Sequence, residues 1–180
     1  MKSEIVTIEP LEIQKKVKNA INKLFEKDFY LLKANANERS ISHKLALYIQ
    51  EEFEEFDVLD VDCEYNRDKL HNPKKIKDWR SRCIKDIKPD DEDAKTVFPD
   101  IIIHQRDSSK NNLLVLEIKK SSNSDTGKCD REKIKNFIND PGLHYELGVF
   151  INFGVKNKAR TFCWNWFPED KFGKEHKNEC

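Results

Sequence analysis

The chain has 180 residues, of which 37% are charged and 37% hydrophobic, a length that buries one core without disulfides or structural metals and does not extend to a second full domain. Lys and Arg together number 33, as do Asp and Glu. This balance excludes a global electrostatic field that would draw the protein onto nucleic acid or an anionic membrane, so any polyanion must meet a local patch.

The cysteines and the hydrophobic runs indicate the compartment. The five cysteines are scattered and form no Cys-x-x-Cys pair, which predicts reduced thiols. Residues 1–30 lack the apolar core and the small-residue cleavage site of a signal peptide. No apolar run approaches the roughly 20 residues that span a bilayer. We therefore expect a cytoplasmic protein with no membrane contact.

Two helices are expected at the start of the chain. Pro10 suits the first turn of a helix, and the apolar residues after it recur at helical spacing, which predicts an amphipathic helix over residues 10–27. Residues 28–36 are expected to be irregular. A second amphipathic helix is predicted over residues 37–56, where apolar side chains again recur on one face.

Three strands are predicted next. Residues 58–65 alternate between apolar and acidic side chains, which is the pattern of a half-buried strand. The apolar runs 97–104 and 113–118 flank the polar segment 106–112, whose composition is typical of a turn, so they predict a hairpin. Since both faces of the hairpin strands are apolar, we expect the pair in the middle of a sheet that is covered on both sides.

The remaining elements complete the fold class. A helix is predicted over residues 128–140, and strands over 146–153 and 160–167. The order ααβββαββ indicates an α/β fold with a central mixed sheet of about five strands flanked by helices. We expect one domain over residues 1–180, which includes an N-terminal helical extension (1–35), a basic insertion (69–95) and a polar tail (170–180).

Three ionisable side chains are expected to converge on the hairpin. A turn centred between Ser108 and Ser109 places Asp100 opposite Glu117, and strand alternation puts Lys119 on the same face. Two neighbouring carboxylates inside apolar strands repel each other and are costly to desolvate, so a cation must lie beside them. Lys119 supplies one positive charge, and carboxylate oxygens are ligands that Mg²⁺ prefers. The alternative is a structural ion pair at the strand end.

The hairpin strands also resemble a known family. The run FPDIII at 98–103 and the run LLVLEIKK at 113–120 resemble the two halves of the signature of the PD-(D/E)XK nuclease superfamily. The resemblance covers about residues 36–155 and implies a restriction-endonuclease-like core, in which a helix, three antiparallel strands, a second helix and a further strand follow one another. That order agrees with the elements predicted above.

The resemblance implies a role for each signature residue. Asp100 and Glu117 would bind Mg²⁺ or Mn²⁺ with help from the Ile118 carbonyl, and Lys119 would be the catalytic lysine. A metal ion held there would polarise a phosphodiester and lower the pKa of a bound water. Lys119 would orient that water or stabilise the developing charge.

Glu38 is a further metal ligand that the resemblance implies, because many members carry an acid on the helix before the first strand. A second explanation stands beside it. An acid in the first turn of a helix is stabilised by the helix macrodipole, and Glu38 would then reciprocate a cap from Asn35.

A basic segment follows the first strand. Residues 69–88 contain eight Lys or Arg and two Asp, and such a segment is expected to contact phosphates, with an aromatic side chain to stack on a base. The alternative is an ordinary solvated insertion. The side chains predicted to contact nucleic acid are Arg67, Lys74, Lys75, Lys77, Trp79, Arg80, Arg82 and Lys133.

The function predicted from these observations is a Mg²⁺-dependent endonuclease or exonuclease that hydrolyses phosphodiesters of DNA rather than RNA. The first alternative is a nuclease-fold domain that no longer cuts and binds nucleic acid or a protein partner. The second is a structural interaction protein whose motif match is accidental. A homodimer is compatible with cleavage of both strands of a duplex, which requires two sites.

Overall fold

The structure is a computed structural model that describes residues 5–65 and 98–172 with their side chains. Between these ranges it describes the backbone of four short strands. The described helices are α1 (Pro10–Lys27), α2 (Phe29–Lys33), α3 (Glu38–Glu52) and α4 (Lys128–Asn139). The described strands are β1 (Asp60–Cys63), β2 (Arg67–Lys69), β3 (Asn72–Pro73), β4 (Lys75–Ile76), β5 (Lys95–Thr96), β6 (Ile101–His104), β7 (Leu114–Lys120), β8 (Leu147–Phe153) and β9 (Phe162–Phe167).

The helices agree with the sequence pattern except in two places. Helix α1 has the predicted bounds, with Pro10 in its first turn. The segment 28–36, predicted to be irregular, contains the five-residue helix α2. Helix α3 ends at Glu52 and not at residue 56. The acidic run there is unfavourable at the carboxyl end of a helix, because the macrodipole is negative at that end.

The main sheet has five strands in the order β1-β6-β7-β8-β9. Strands β7 and β8 are parallel, and the other neighbouring pairs are antiparallel. The prediction of a mixed sheet of about five strands flanked by helices is therefore confirmed, and β7 of the hairpin is the central strand. The short strands pair separately, β2 with β3 and β4 with β5.

The first strand is shorter than the predicted range 58–65. Leu59 is still in a turn, since its N–H donates to the Phe56 carbonyl. Glu64 has a φ of 50°, a left-handed conformation that ends the extended backbone. The N–H of Glu64 donates to the Pro99 and Asp100 carbonyls, so the end of β1 is tied to the segment that precedes β6.

The two faces of the sheet are covered by different helices. Helices α1 and α3 pack on one face and form the larger core with alternate side chains of β6 and β7, such as Ile101 and Leu116. Helix α4 packs on the other face, where Ile134 and Phe137 join Ile102 and Val115. The hairpin strands are thus covered on both sides, as predicted.

Helix α4 approaches the sheet closely at Gly148 of β8. A Cβ atom at this position would lie 2.2 Å from Cγ2 of Ile134, a distance that van der Waals repulsion forbids. The absence of a side chain at Gly148 therefore sets the height of α4 above the sheet, and with it the position of every α4 side chain that points inward.

Residues 169–172 form a 3₁₀ turn in which Phe172 is buried against Trp166, with ring centroids 5.0 Å apart, so the polar tail is anchored at its start; its remainder lies outside the described residues. One other prediction is corrected. Cys129 and Cys163 are disulfide-bonded, whereas reduced thiols were predicted. Cysteine spacing gave no signal for this.

Among the residues that the structure describes, no helix is both long enough and apolar enough to cross a membrane.

Candidate active site

The hairpin register places the two signature carboxylates side by side. Ile101 pairs with Leu116 and Ile102 with Val115, so Asp100, one residue before β6, lies opposite Glu117. The predicted register is confirmed. Asp100 Oδ2 accepts a hydrogen bond of 2.7 Å from the backbone N–H of Ile118. This bond holds the Asp100 carboxylate against β7 on the face that α4 covers.

Glu117 is a buried carboxylate in which one oxygen forms an ion pair and the other has no hydrogen-bond partner among the described residues. Its side chain is 2% exposed, and Oε2 lies 2.6 Å from the Lys133 ammonium. Oε1 has no hydrogen-bond partner among the residues that the structure describes. A buried carboxylate oxygen without a partner is costly, and a cation or a water molecule beside it would relieve this cost.

The electrostatics of the pair follow from burial. Burial raises the pKa of Glu117 well above its usual value, and the nearby charge of Asp100 raises it further, while Lys133 lowers it. Burial also raises the pKa of Asp100, although Lys133 and the Ile118 N–H oppose the shift. The negative charge of the two carboxylates is therefore only partly offset by nearby positive charge in the folded protein. Additional positive charge beside them would stabilise their ionised forms.

Lys119 lies on the same side of the hairpin but is paired with two other acids. Its ammonium is 3.4 Å from Asp130 Oδ2 and 4.0 Å from Glu38 Oε2. Burial lowers the pKa of Lys119, but the charges of Asp130 and Glu38 outweigh burial and leave that pKa above its usual value. Lys119 is therefore an ammonium at neutral pH, a hydrogen-bond donor and not a base.

Glu38 is tied to the end of β7. It is the first residue of α3, and the cap of that helix is Asn37, whose side chain accepts from the Ser40 N–H at 2.7 Å. The expected cap from Asn35 is therefore wrong. Glu38 Oε1 accepts from the Lys120 N–H at 3.2 Å, so this carboxylate joins the cluster through Lys119. Its role as a metal ligand stays a prediction.

Sequence reasoning did not place Lys133 or Asp130 in the cluster around the carboxylate pair. The Lys133 ammonium points inward and also donates to the Phe98 carbonyl at 3.1 Å, and its contact with nucleic acid stays a prediction. A signal was present in the spacing. Lys133 precedes the buried Phe137 by four residues, and Asp130 precedes the buried Ile134 by four, so each lies on the inward side of the helix.

Asp100 and Glu117 are the carboxylates that could bind a metal ion at this site. The described residues contain no group of three or more His, Cys, Asp or Glu arranged to hold a metal. Asp100 and Glu117 form a pair, and the unpartnered Glu117 Oε1 is an oxygen of the type that Mg²⁺ binds. Mg²⁺ in proteins commonly uses one or two carboxylates and keeps water or substrate phosphate at its other positions. The residues present fit such a site.

A cleft leads to Asp100 from the surface. It has a volume of about 210 Å³ and lies between α3 and the end of β1. At its mouth Arg39 pairs with Glu64 at 2.7 Å, with the two side chains 84% and 45% exposed. Such an exposed pair is weak, so an incoming anion can replace Glu64. The lining side chains are Arg39, Ser42, His43, Cys63, Glu64 and Asp100.

A second ionised cluster lies further along the same face of the sheet. His104 Nε2 is 3.0 Å from Asp62 Oδ2, and the Arg106 guanidinium bonds both Asp62 oxygens. Burial alone would raise the pKa of Asp62, but the hydrogen bonds from His104 and Arg106 outweigh it and hold that pKa well below its usual value. Both Asp62 carboxylate oxygens have hydrogen-bond partners, which is typical of a structural ion pair at a sheet edge.

Most predicted nucleic-acid contacts fall in the segment whose side chains are not described. Arg67 and Lys75 belong to β2 and β4, of which the backbone is described. The side chains of these two residues, and residues 74, 77, 79, 80 and 82, lie outside the described part of the chain. Their contact with nucleic acid stays a prediction.

Comparison of the chain with protein-family models, with curated proteins and with solved structures found no match. The function of the protein is therefore inferred from the geometry of its own site.

Proposed function

We propose that the protein is a metal-dependent nuclease of the PD-(D/E)XK type, with a restriction-endonuclease-like core, that hydrolyses phosphodiester bonds of DNA in preference to RNA. The observation that carries the proposal is the pair Asp100 and Glu117, which lie opposite each other on a central hairpin with Glu117 buried and Asp100 half-buried. Their negative charge is only partly offset by nearby positive charge, and Glu117 Oε1 has no hydrogen-bond partner among the described residues. Structural ion pairs are normally satisfied on both oxygens, so this arrangement favours a cation site.

The residues have distinct tasks in this proposal. Asp100 and Glu117, with the Ile118 carbonyl, would hold Mg²⁺ or Mn²⁺. When bound, the ion supplies Lewis-acid activation of the phosphodiester and of a water molecule. Asp100 is held in place by the Ile118 N–H whether or not an ion is present, so the site is organised in advance of ion binding.

Lys119 would stabilise charge. Its raised pKa keeps it protonated, and an ammonium positioned by Asp130 and Glu38 on either side is suited to donate hydrogen bonds to the negative charge that develops on phosphate oxygens. The same protonation argues against Lys119 as the group that removes a proton from water.

The cleft beside Asp100 would admit the substrate. Asp100 and the exposed Arg39 guanidinium both line this cleft, and Arg39 suits a phosphate neighbouring the one that is cut. The basic segment that contains Arg67 and Arg82 would add contacts along the backbone. Because net charge is zero, these local groups supply the attraction for a polyanion.

One observation favours the alternative of a nuclease fold that binds nucleic acid without cutting it. Lys133 already places a positive charge 2.6 Å from Glu117, so the carboxylate pair has a protein cation of its own. In a degenerate site this lysine would replace the metal permanently. In an active site a divalent ion must bind despite it.

Cleavage assays distinguish an active nuclease from a nuclease fold that binds nucleic acid without cutting it. The protein is incubated with supercoiled plasmid and with single-stranded circular DNA, in Mg²⁺, in Mn²⁺ and in EDTA. The proposal predicts metal-dependent cleavage that Asp100→Asn and Lys119→Met slow by roughly 10²-fold or more, while both variants melt as cooperatively as the wild type. Glu54→Gln, at an exposed residue in the turn after α3, is the matched control and should retain full activity.

Other outcomes of the same assay are equally informative. DNA binding without cleavage, unaffected by Asp100→Asn, would support the inactive nuclease fold. Cleavage that survives both substitutions would show that the activity does not come from this site.

A further inference from the structure

We propose that Lys133 is a built-in counter-ion that competes with the divalent cation for the Glu117 carboxylate, so that it stabilises the metal-free fold and weakens metal binding. The inference rests on the metal site of the proposed function and adds the control of its occupancy. Neither the signature motif nor the spacing on the hairpin assigns any part in the site to this residue.

The contact itself is tight and enclosed. The Lys133 ammonium lies 2.6 Å from Glu117 Oε2, and the two side chains are 17% and 2% exposed. A charge-assisted bond of this length in a site with little water is stronger than a surface pair. Without it, Glu117 would be a buried carboxylate beside the second carboxylate of Asp100.

The other lysine of the site does not duplicate this role. Lys119 makes its ion pairs with Asp130 and Glu38, within 4.0 Å, and acts on the Asp100–Glu117 pair through its charge on Asp100. Among the described residues, the cation that forms an ion pair with Glu117 is the Lys133 ammonium. A divalent ion that uses Glu117 would therefore meet the charge of Lys133 at close range, and like charges at such distances repel strongly.

Lys133 has a second hydrogen-bond partner, which allows its ammonium to release Glu117. Its ammonium also donates to the Phe98 carbonyl at 3.1 Å, and this acceptor stays available when Glu117 is given up. Helix α4 is anchored on the sheet by its buried side chains Ile134 and Phe137. Exchange between the lysine and the metal is thus a movement of one flexible side chain on a fixed helix.

The test compares metal affinity in charge-removing and charge-keeping variants. Mn²⁺ binding is measured by titration calorimetry for the wild type, Lys133→Met, Lys133→Gln and Lys133→Arg, and melting in EDTA is measured in parallel. Lys128→Met removes the same charge from the exposed first turn of α4 and is the matched control. Lys133→Gln keeps a hydrogen-bond donor without the charge, in case Lys133→Met does not fold without metal.

The proposal predicts that Lys133→Met and Lys133→Gln bind Mn²⁺ about tenfold more tightly or better, and that both melt at a lower temperature than the wild type in EDTA. Lys133→Arg and Lys128→Met should bind as the wild type does. Equal or weaker binding by both uncharged variants, with Mn²⁺ binding intact in the wild type, would overturn the competition and leave the nuclease proposal standing. Absence of Mn²⁺ binding in every protein, the uncharged variants included, would overturn the metal site itself.

Discussion

The Asp100 carboxylate accepts a hydrogen bond from the backbone N–H of Ile118 at 2.7 Å. This bond links the residue before β6 to the residue after Glu117 on β7, so the hairpin register, and not a bound ion, positions the first carboxylate relative to the second. The placement is therefore a property of the fold, and its consequences can be measured in the metal-free protein.

Asp100→Asn should separate stability from metal binding. The amide oxygen can still accept from the Ile118 N–H, and the substitution removes a buried charge whose pKa is raised by burial. We expect the free energy of unfolding in EDTA at pH 7 to stay equal or to rise, because the ionised form of Asp100 is disfavoured by burial, while metal-linked stabilisation is lost. Urea unfolding with and without Mg²⁺ measures both. A loss of stability in EDTA of about 2 kcal/mol or more would show that the carboxylate is needed as a structural anion.

Gly148→Ala should disturb the site through α4. The added methyl group would lie 2.2 Å from Ile134 Cγ2, so the helix must shift and move Lys133 and Asp130 with it. We expect a destabilisation of about 1–3 kcal/mol together with loss of cleavage. Adding Ile134→Leu removes the branching methyl group that clashes and should recover part of the stability. No recovery in the double variant would place the clash elsewhere.

Arg39→Ala should weaken nucleic-acid binding and leave the fold intact. The Arg39 side chain is 84% exposed, so its removal should change stability by no more than about 0.5 kcal/mol. If it contacts one phosphate, the slope of log affinity against log salt concentration should fall by about 1. Lys18→Ala, at an exposed position on α1, removes the same charge far from the cleft. Equal effects of the two substitutions would indicate a non-specific charge effect.

Asp62→Asn should reveal the ion pair at the sheet edge through its pH dependence. The pKa of Asp62 is lowered in the folded protein from an ordinary value of 3.8, so its stabilising effect is fully present above that ordinary pKa and is lost as the pH falls through the lowered one. The wild type should exceed Asp62→Asn in stability by about 1–3 kcal/mol at pH 6, and the difference should shrink below the ordinary pKa. A difference that does not depend on pH would contradict an ionised Asp62.

Local patterns in the sequence predict the elements that depend on local physics. Helix α1 has its predicted bounds, because Pro10 marks the start and a strict apolar spacing marks the face. The hairpin register is also predicted, because centring the polar turn between Ser108 and Ser109 fixes which residues of the two apolar runs lie opposite each other. Helix α2 was missed because five residues are too few to show a helical period.

The candidate site was predicted in part for the same reason. Asp100, Glu117 and Lys119 belong to one hairpin, so their proximity follows from register alone. Lys133 and Asp130 reach the site by tertiary packing of α4, whose height depends on the contact between Ile134 and Gly148. Amphipathic spacing marks the apolar side of a helix but does not say that a lysine at its border turns inward to a buried acid.

The measurement that tests the central claim most directly is Mn²⁺ titration calorimetry on Asp100→Asn, Glu117→Gln and the double variant, each shown by circular dichroism to be folded. If the two carboxylates share one ion, either single substitution abolishes most of the free energy of Mn²⁺ binding. The double variant should then bind Mn²⁺ no more weakly than the weaker-binding single variant. Wild-type affinity in both single variants would contradict a shared ion, and so would losses that add in full.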